Sequence, residues 1–297
     1  MRLCAFTDEI SPEFEEAVRI CAEEGIREVE IRSIYGKNVA SLSAEDVACM
    51  RDVLGRHGVR VSCLGSPFGK CELEGDEYAQ HLRMFDQLVD LAHAFGARLI
   101  RMFAFWVPGR ARTPDQPIDL TAKLPRIAEL LRGPTERAFQ EGLVLSLENE
   151  EATYVGTCRE ARLLHDAVAS PGLGVCWDAV NGWNAGEAIF PYGYEQVRGL
   201  INHVHVRDAR PDPSDPSRYG EAARLGDGVV DWREALQRLR ADGFDGCLSL
   251  ETHLYFSDPD RWPKLRAATV HNARELRRLL LENEKASPDK PDPVERE

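Results

Sequence analysis

Three things are scarce in this 297-residue chain, and each scarcity removes a class of protein. No apolar run reaches the roughly 18 residues of a transmembrane helix, so no membrane partner is expected. Basic residues are short: 37 Lys and Arg face 50 Asp and Glu, a net charge of −13. Nucleic acid is gripped through its phosphates by Lys and Arg, so no nucleic-acid partner is expected. No Cys-x-x-Cys pair occurs among the eight cysteines. Several sit in apolar strand-like runs, where a thiol behaves as a small hydrophobe. That usage predicts reduced, buried thiols and a cytoplasmic location. The N-terminus reads as a strand followed by charge, without the apolar run of a signal peptide.

What is present is an alternation. Strand-like segments at 2–6, 28–32, 59–64, 98–103, 143–148, 173–178, 201–206 and 246–251 are separated by amphipathic helical patterns. The helical patterns lie near 11–25, 43–57, 77–95, 121–141, 157–168, 231–241 and 262–284, with a weaker one at 186–199 broken by Pro191 and two glycines. Alternating βα units make a parallel sheet. Eight of them predict an α/β fold closed as a (β/α)8 TIM barrel, a single domain over residues 1–284. Local chemistry supports several boundaries. Ser11-Pro12 reads as an N-cap with Pro at the first helical position. Ser43 to Asp46 has capping-box spacing. Gly58, Gly96, Gly142 and Gly243 follow helical patterns as C-terminal glycines. Long loops are expected at 104–120 and 207–228. Residues 285–297, charged and proline-rich, read as a disordered tail.

Four consecutive strands end on a metal-ligand residue type: Glu148, Asp178, His205 and Glu251. A parallel barrel gathers the C-terminal ends of its strands around one mouth, where active sites lie. Taken singly, each residue is as well explained by a salt bridge or a satisfied core histidine. Together they would bury three carboxylates, which is costly without a cation. The set is oxygen-rich, which suits one divalent ion, Mn²⁺ first, with Mg²⁺, Co²⁺ and Zn²⁺ as alternatives. Other polar residues stand near strand ends: Glu30, Arg101, His203, Arg207 and Arg210. Trp106, Trp177 and Trp183 could stack on a sugar ring. The Gly226-Asp227-Gly228 turn follows strand seven, where some barrels bind phosphate, but Asp227 would repel it.

The motifs Leu147-Glu148-Asn149-Glu150, Trp177-Asp178-Ala179-Val180-Asn181, His203-Val204-His205-Val206-Arg207-Asp208, Leu225-Gly226-Asp227-Gly228 and Ser249-Leu250-Glu251-Thr252-His253 carry a resemblance. With the opening Phe6-Thr7-Asp8-Glu9-Ile10-Ser11, the chain resembles the xylose isomerase-like barrel superfamily, often labelled sugar phosphate isomerase/epimerase, over roughly residues 1–283. The resemblance implies one divalent ion on Glu148, Asp178, His205 and Glu251, with Glu148 and Glu251 also the catalytic acid/base pair. Arg101, Asn181, His203 and Arg210 are the expected substrate-binding residues. Similar epimerases tend to carry His three residues after the metal-binding Asp, where Asn181 stands here. Many also show His near the place of Glu150.

The implied function is a metal-dependent sugar isomerase or epimerase that enolises a ketose or related keto-sugar. The alternative is a lyase or dehydratase on a keto-inositol or 3-keto-glycoside at the same site, since similar His-x-Arg-Asp and Leu-Gly-Asp-Gly stretches occur in inosose dehydratase-like members. An endonuclease IV-like phosphodiesterase shares the barrel, but needs three metals and a basic face. The expected partner is a small-molecule sugar, with homo-oligomerisation an open expectation.

Overall fold

The computed structural model describes residues 1–110, 118–254 and 260–285. Eight strands form the barrel: β1 Arg2–Phe6, β2 Glu28–Ile31, β3 Arg60–Leu64, β4 Leu99–Met102, β5 Val144–Glu148, β6 Leu173–Asp178, β7 Ile201–Val206 and β8 Cys247–Leu250. Each pairs in parallel with its neighbours in chain order, and β8 closes on β1, with Cys4 opposite Ser249. The fold is the expected (β/α)8 barrel. The expected tail lies outside the described residues apart from Lys285, as does 111–117 of the loop after β4.

The helices follow from their caps. α2 (Ala44–His57) opens on the Ser43/Asp46 capping box and ends on Gly58 at φ 63°. α3 (Glu77–Phe95) ends on Gly96 in the same left-handed conformation. The helix Cys158–Val168 opens on a second box, Thr157/Glu160. The Ser11-Pro12 start is corrected: α1 spans Phe14–Glu23. Ser11 instead accepts from the Glu13 amide and donates to Glu16, which delays the first turn. The weak pattern at 186–199 resolves into an irregular turn at Ile189–Gly193 and a four-residue helix, Tyr194–Val197.

The strands' two faces differ in kind. Residues such as Val29, Leu145, Val175, Val204 and Leu248 join the helices in one apolar core. The alternate residues, among them Cys4, Ser146, Cys176, His203 and Ser249, are also buried but turn the other way, into the barrel. The barrel is therefore filled with small, polar and ionisable side chains that water does not reach. Seven cysteines are buried, and Cys49 on α2 is exposed. Among the described residues no helix is long and apolar enough to cross a membrane.

Two ribbons decorate the C-terminal face. One pairs Ser33–Ile34 with Lys37–Asn38, the other Asp208–Asp212 with Asp215–Ala223. The second leaves β7 immediately after the histidine pair.

Candidate metal centre

Glu148, Asp178, His205 and Glu251 converge at the barrel mouth, each offering a ligand atom within 4.8 Å of the others. All four are buried. β5, β6 and β7 present the first three at their last residues or one short of the end. Glu251 follows β8 directly, its amide still bonded to the Val206 carbonyl at 3.1 Å. His205 sits at the centre. Its Nδ1 is 3.3 Å from Glu148 Oε1 and 3.4 Å from Glu251 Oε2. Neither contact has hydrogen-bond geometry. Glu148 Oε2, Glu251 Oε2 and both His205 ring nitrogens are buried without a hydrogen-bond partner. Unpartnered ligand-type atoms on three neighbouring buried side chains fit a cation, since buried polar groups are ordinarily paired.

The charges support the same fit. Glu30, Glu148, Asp178 and Glu251 are four buried carboxylates; Arg101 and Arg207 lie against them, and Arg32 reaches Glu251 but is shared with Asp8 and Glu9. A divalent ion would offset the negative charge that remains. Arg207 donates to Asp178 at 2.7 Å and to the Asn181 amide oxygen at 2.5 Å. Arg101 lies 3.2 Å from Glu148 and 3.9 Å from Glu251, its other nitrogens held by the Gly65 and Ser66 carbonyls. Burial pushes the Glu148 carboxyl up, but His205 and Arg101 outweigh it and hold it below the usual range. Burial acts likewise on Glu251, and His253, His205 and Arg32 overcome it, leaving a strong acid. At Asp178 burial wins despite Arg207, with Glu148 and Glu251 adding to the rise. Burial pulls His205 down, yet Cys176 and the surrounding carboxylates raise it well above an ordinary imidazole.

Asn149 fixes Asp178 by its backbone, donating to its carbonyl at 2.7 Å and accepting from its amide at 2.9 Å. Asp178 in turn caps the six-residue helix Ala179–Asn184, accepting from the Asn181 amide at 2.8 Å. That helix, too short to show a period in sequence, brings the Asn181 amide to 3.2 Å from Glu148. Glu150 is salt-bridged to Lys70 at 3.0 Å.

The expected substrate-binding residues divide. Arg101 and Asn181 touch the cluster. His203 does not reach the mouth. It is fully buried one pleat deeper and bonded to Glu30 at 2.8 Å. Arg210 is exposed on the ribbon, paired with Glu221 and Asp227. Arg207, three residues earlier, is the one that enters the site. Trp177 packs edge-on against Phe190 and Tyr194. Sequence reasoning missed Arg32, which joins Asp8, Glu9 and Glu251, the last at 2.8 Å. The Phe6-to-Ser11 motif was the available signal, because it carries both acids.

Two cavities lie beside this cluster, lined by residues that touch it and not by the four themselves, and they share His253 as a wall. One, of about 250 Å³, includes Asp8, Arg32 and Trp262. The other, of about 220 Å³, includes Glu150, Asn181 and Arg207. The turn after β7 does not face them as an anion site. The Gly226, Gly228 and Val230 amides point at the Asp208 carboxylate, at 3.0, 3.1 and 3.2 Å.

A family model described as "xylose isomerase-like TIM barrel" matches residues 18–278. The chain is 25% identical over 250 residues to inosose dehydratase of Klebsiella pneumoniae subsp. pneumoniae, covering 76% of this chain and 80% of that one. A xylose isomerase-like TIM barrel protein from Mycobacterium smegmatis, solved in complex with magnesium, superposes with a TM-score of 0.72 at 20% identity, covering 95% of this chain and 97% of that one. The 3-keto-D-glucoside 4-epimerase YcjR from E. coli, in its apo form, gives 0.69 at 18% identity, covering 96% of this chain and 100% of that one.

Proposed function

The chain belongs to the xylose isomerase-like TIM barrel family, and from that premise we propose that it is a divalent-metal-dependent sugar isomerase or epimerase acting on a ketose or related keto-sugar. The observation that carries the reading is the pair Glu148 and Glu251, flanking His205 Nδ1 at 3.3 and 3.4 Å, each with one buried oxygen that makes no hydrogen bond. Glu148, Asp178, His205 and Glu251 would hold the ion, which we take to be Mn²⁺ from the oxygen-rich donor set. Bound there, a divalent ion supplies Lewis-acid polarisation of a carbonyl, which acidifies the neighbouring C–H.

The side chains supply the rest. Glu148 and Glu251 are held ionised by the cations around them, so either is ready to take the α-proton. Such a base contributes about 10²–10⁴-fold. Return of the proton to the other face of the same carbon gives an epimer. Return to the adjacent carbon gives an isomer. Arg101, anchored by the Gly65 and Ser66 carbonyls, turns its remaining nitrogen toward both glutamates and adds positive charge where the substrate oxygen would become negative. Asn181 orients Glu148, and Arg207 holds Asp178.

A second reading, β-elimination of water after the same proton abstraction, is favoured by the identity with inosose dehydratase. The two separate in one experiment. Ketoses and keto-inositols are incubated with the Mn²⁺-loaded protein in D₂O and followed by NMR and mass spectrometry. The proposal expects deuterium at the carbon beside the carbonyl in a product of otherwise unchanged mass. Loss of water without an isomer would hand the assignment to the dehydratase. Neither exchange nor product across the panel would sink both.

A further inference from the structure

Glu30 is fully buried inside the barrel, on β2, across from the metal cluster. Its Oε2 lies 2.8 Å from His203 Nε2 and 3.3 Å from His205 Nε2. A buried carboxylate is expensive to keep, and these two imidazoles are its nearest basic partners among the described residues. The His203 contact is a hydrogen bond. The His205 contact is at bonding distance but off line, so His205 keeps both ring nitrogens unpartnered. The ring has a definite orientation all the same. Nε2 faces Glu30, Nδ1 faces Glu148 and Glu251, and Phe6 stands edge-on to the ring at 5.2 Å.

We propose that Glu30 is the positioning residue of the metal centre: it takes the proton-bearing Nε2 side of His205 and so commits Nδ1 to the ion, with His203 as the brace that holds Glu30 in place. This rests on the metal-site reading above and assigns work to two residues that the ligand set leaves out. The chemistry is general. A neutral imidazole has one N–H and one lone pair, and the partner of the N–H decides which nitrogen is left to ligate. A carboxylate in that position also makes the imidazole a better donor. His203 donates to the same oxygen of Glu30, which keeps that oxygen turned toward the histidines.

A glycine confirms how closely the carboxylate is seated. A Cβ at Gly65 would stand 3.2 Å from Glu30 Oε1, 3.0 Å from the Phe6 ring and 3.2 Å from Arg32 Cβ. The end of β3 is thus cut back where Glu30, Phe6 and Arg32 meet. His203 has the same placement for a reason unconnected with substrate. It is one strand period from His205, so it falls on the same interior face one layer down.

The test is metal affinity, read without substrate. Metal-free wild type, Glu30→Gln and Glu30→Asp, each shown folded by circular dichroism, are titrated with Co²⁺ and followed by its visible absorption. Glu30→Gln removes the charge that favours the Nε2 proton. Glu30→Asp keeps the charge and withdraws the oxygen by about one bond, roughly 1.5 Å. Both are expected to bind Co²⁺ about 10–100-fold more weakly than wild type. In Zn²⁺-loaded, ¹⁵N-labelled wild type, the His205 proton is expected on Nε2. Wild-type affinity in either folded variant, or a His205 proton on Nδ1 in the Zn²⁺ form, overturns the inference. Absence of Co²⁺ and Zn²⁺ binding by wild type itself overturns the metal-site reading, and the inference falls with it. Should Glu30→Gln not fold, Glu30→Asp and the proton position still decide the matter.

Discussion

Arg207→Met is the most informative single change, because Arg207 and a bound ion answer to the same carboxylate. Asp178 is fully buried, and the Arg207 side chain 2.7 Å away is only 11% exposed. Breaking a buried pair by removing one partner costs about 3–5 kcal/mol, because the other charge is left without compensation. The Asn181 amide oxygen also loses a donor at 2.5 Å. For a chain of this size about 2 °C of melting temperature accompanies each kcal/mol, so metal-free Arg207→Met should melt at least about 6 °C below wild type. The ion then reverses part of the loss. It restores a cation to Asp178 without having to compete with the guanidinium. Mn²⁺ should therefore raise the melting temperature of the variant by more than it raises that of wild type. Paired thermal melts in EDTA and in excess Mn²⁺ read both quantities. A variant melting within about 2 °C of wild type in EDTA, or gaining no more than wild type from Mn²⁺, would refute the charge balance argued here.

Two further outcomes follow from the same cluster. Glu148→Gln and Glu251→Gln should keep the barrel, by circular dichroism, and lose at least about 10²-fold in turnover, since an amide takes no proton. Activity near wild type in either variant removes that residue from the acid/base pair. The metal-free His205 is raised well above an ordinary imidazole, so it carries a proton at neutral pH that an ion must displace. Affinity should accordingly rise with pH through neutrality, with about one proton released per Mn²⁺, measurable by titration in weakly buffered solution. Binding that is flat from pH 6 to 8 would contradict the charged histidine.

The barrel was legible because its strands are apolar runs of fixed length with helical periods between them. The candidate cluster was legible because each member interrupts such a run at its C-terminal end, and topology brings those ends together. Residues past the strand ends were not. Arg207 and Arg210 look alike in sequence, three residues apart. Only the departure of the chain into a ribbon decides that the first turns inward and the second faces water. His203 was legible as an interior residue one pleat period below His205, but its partner Glu30, 173 residues away in the chain, was not. Arg32 meets Asp8, Glu9 and Glu251 across elements that are distant in sequence, and although the Phe6-to-Ser11 motif carries two of those acids, nothing local to Arg32 names it as their partner. The helix Ala179–Asn184 is shorter than two turns, so no amphipathic period could announce it.

Asp208 gives the loop after β7 a meaning of its own. Its carboxylate fills the hollow of the following turn, and the fit leaves no spare room: a Cβ at Gly228 would stand 2.1 Å from Asp208 Oδ1. In other barrels amides after strand seven are a place where the phosphate of a substrate is seized. Here the protein has supplied the anion itself, by a covalent tether that no buffer competes away. A phosphorylated sugar arriving at that turn would find its donors engaged and a like charge in residence. At this turn, then, an incoming anion meets a seat that is already taken.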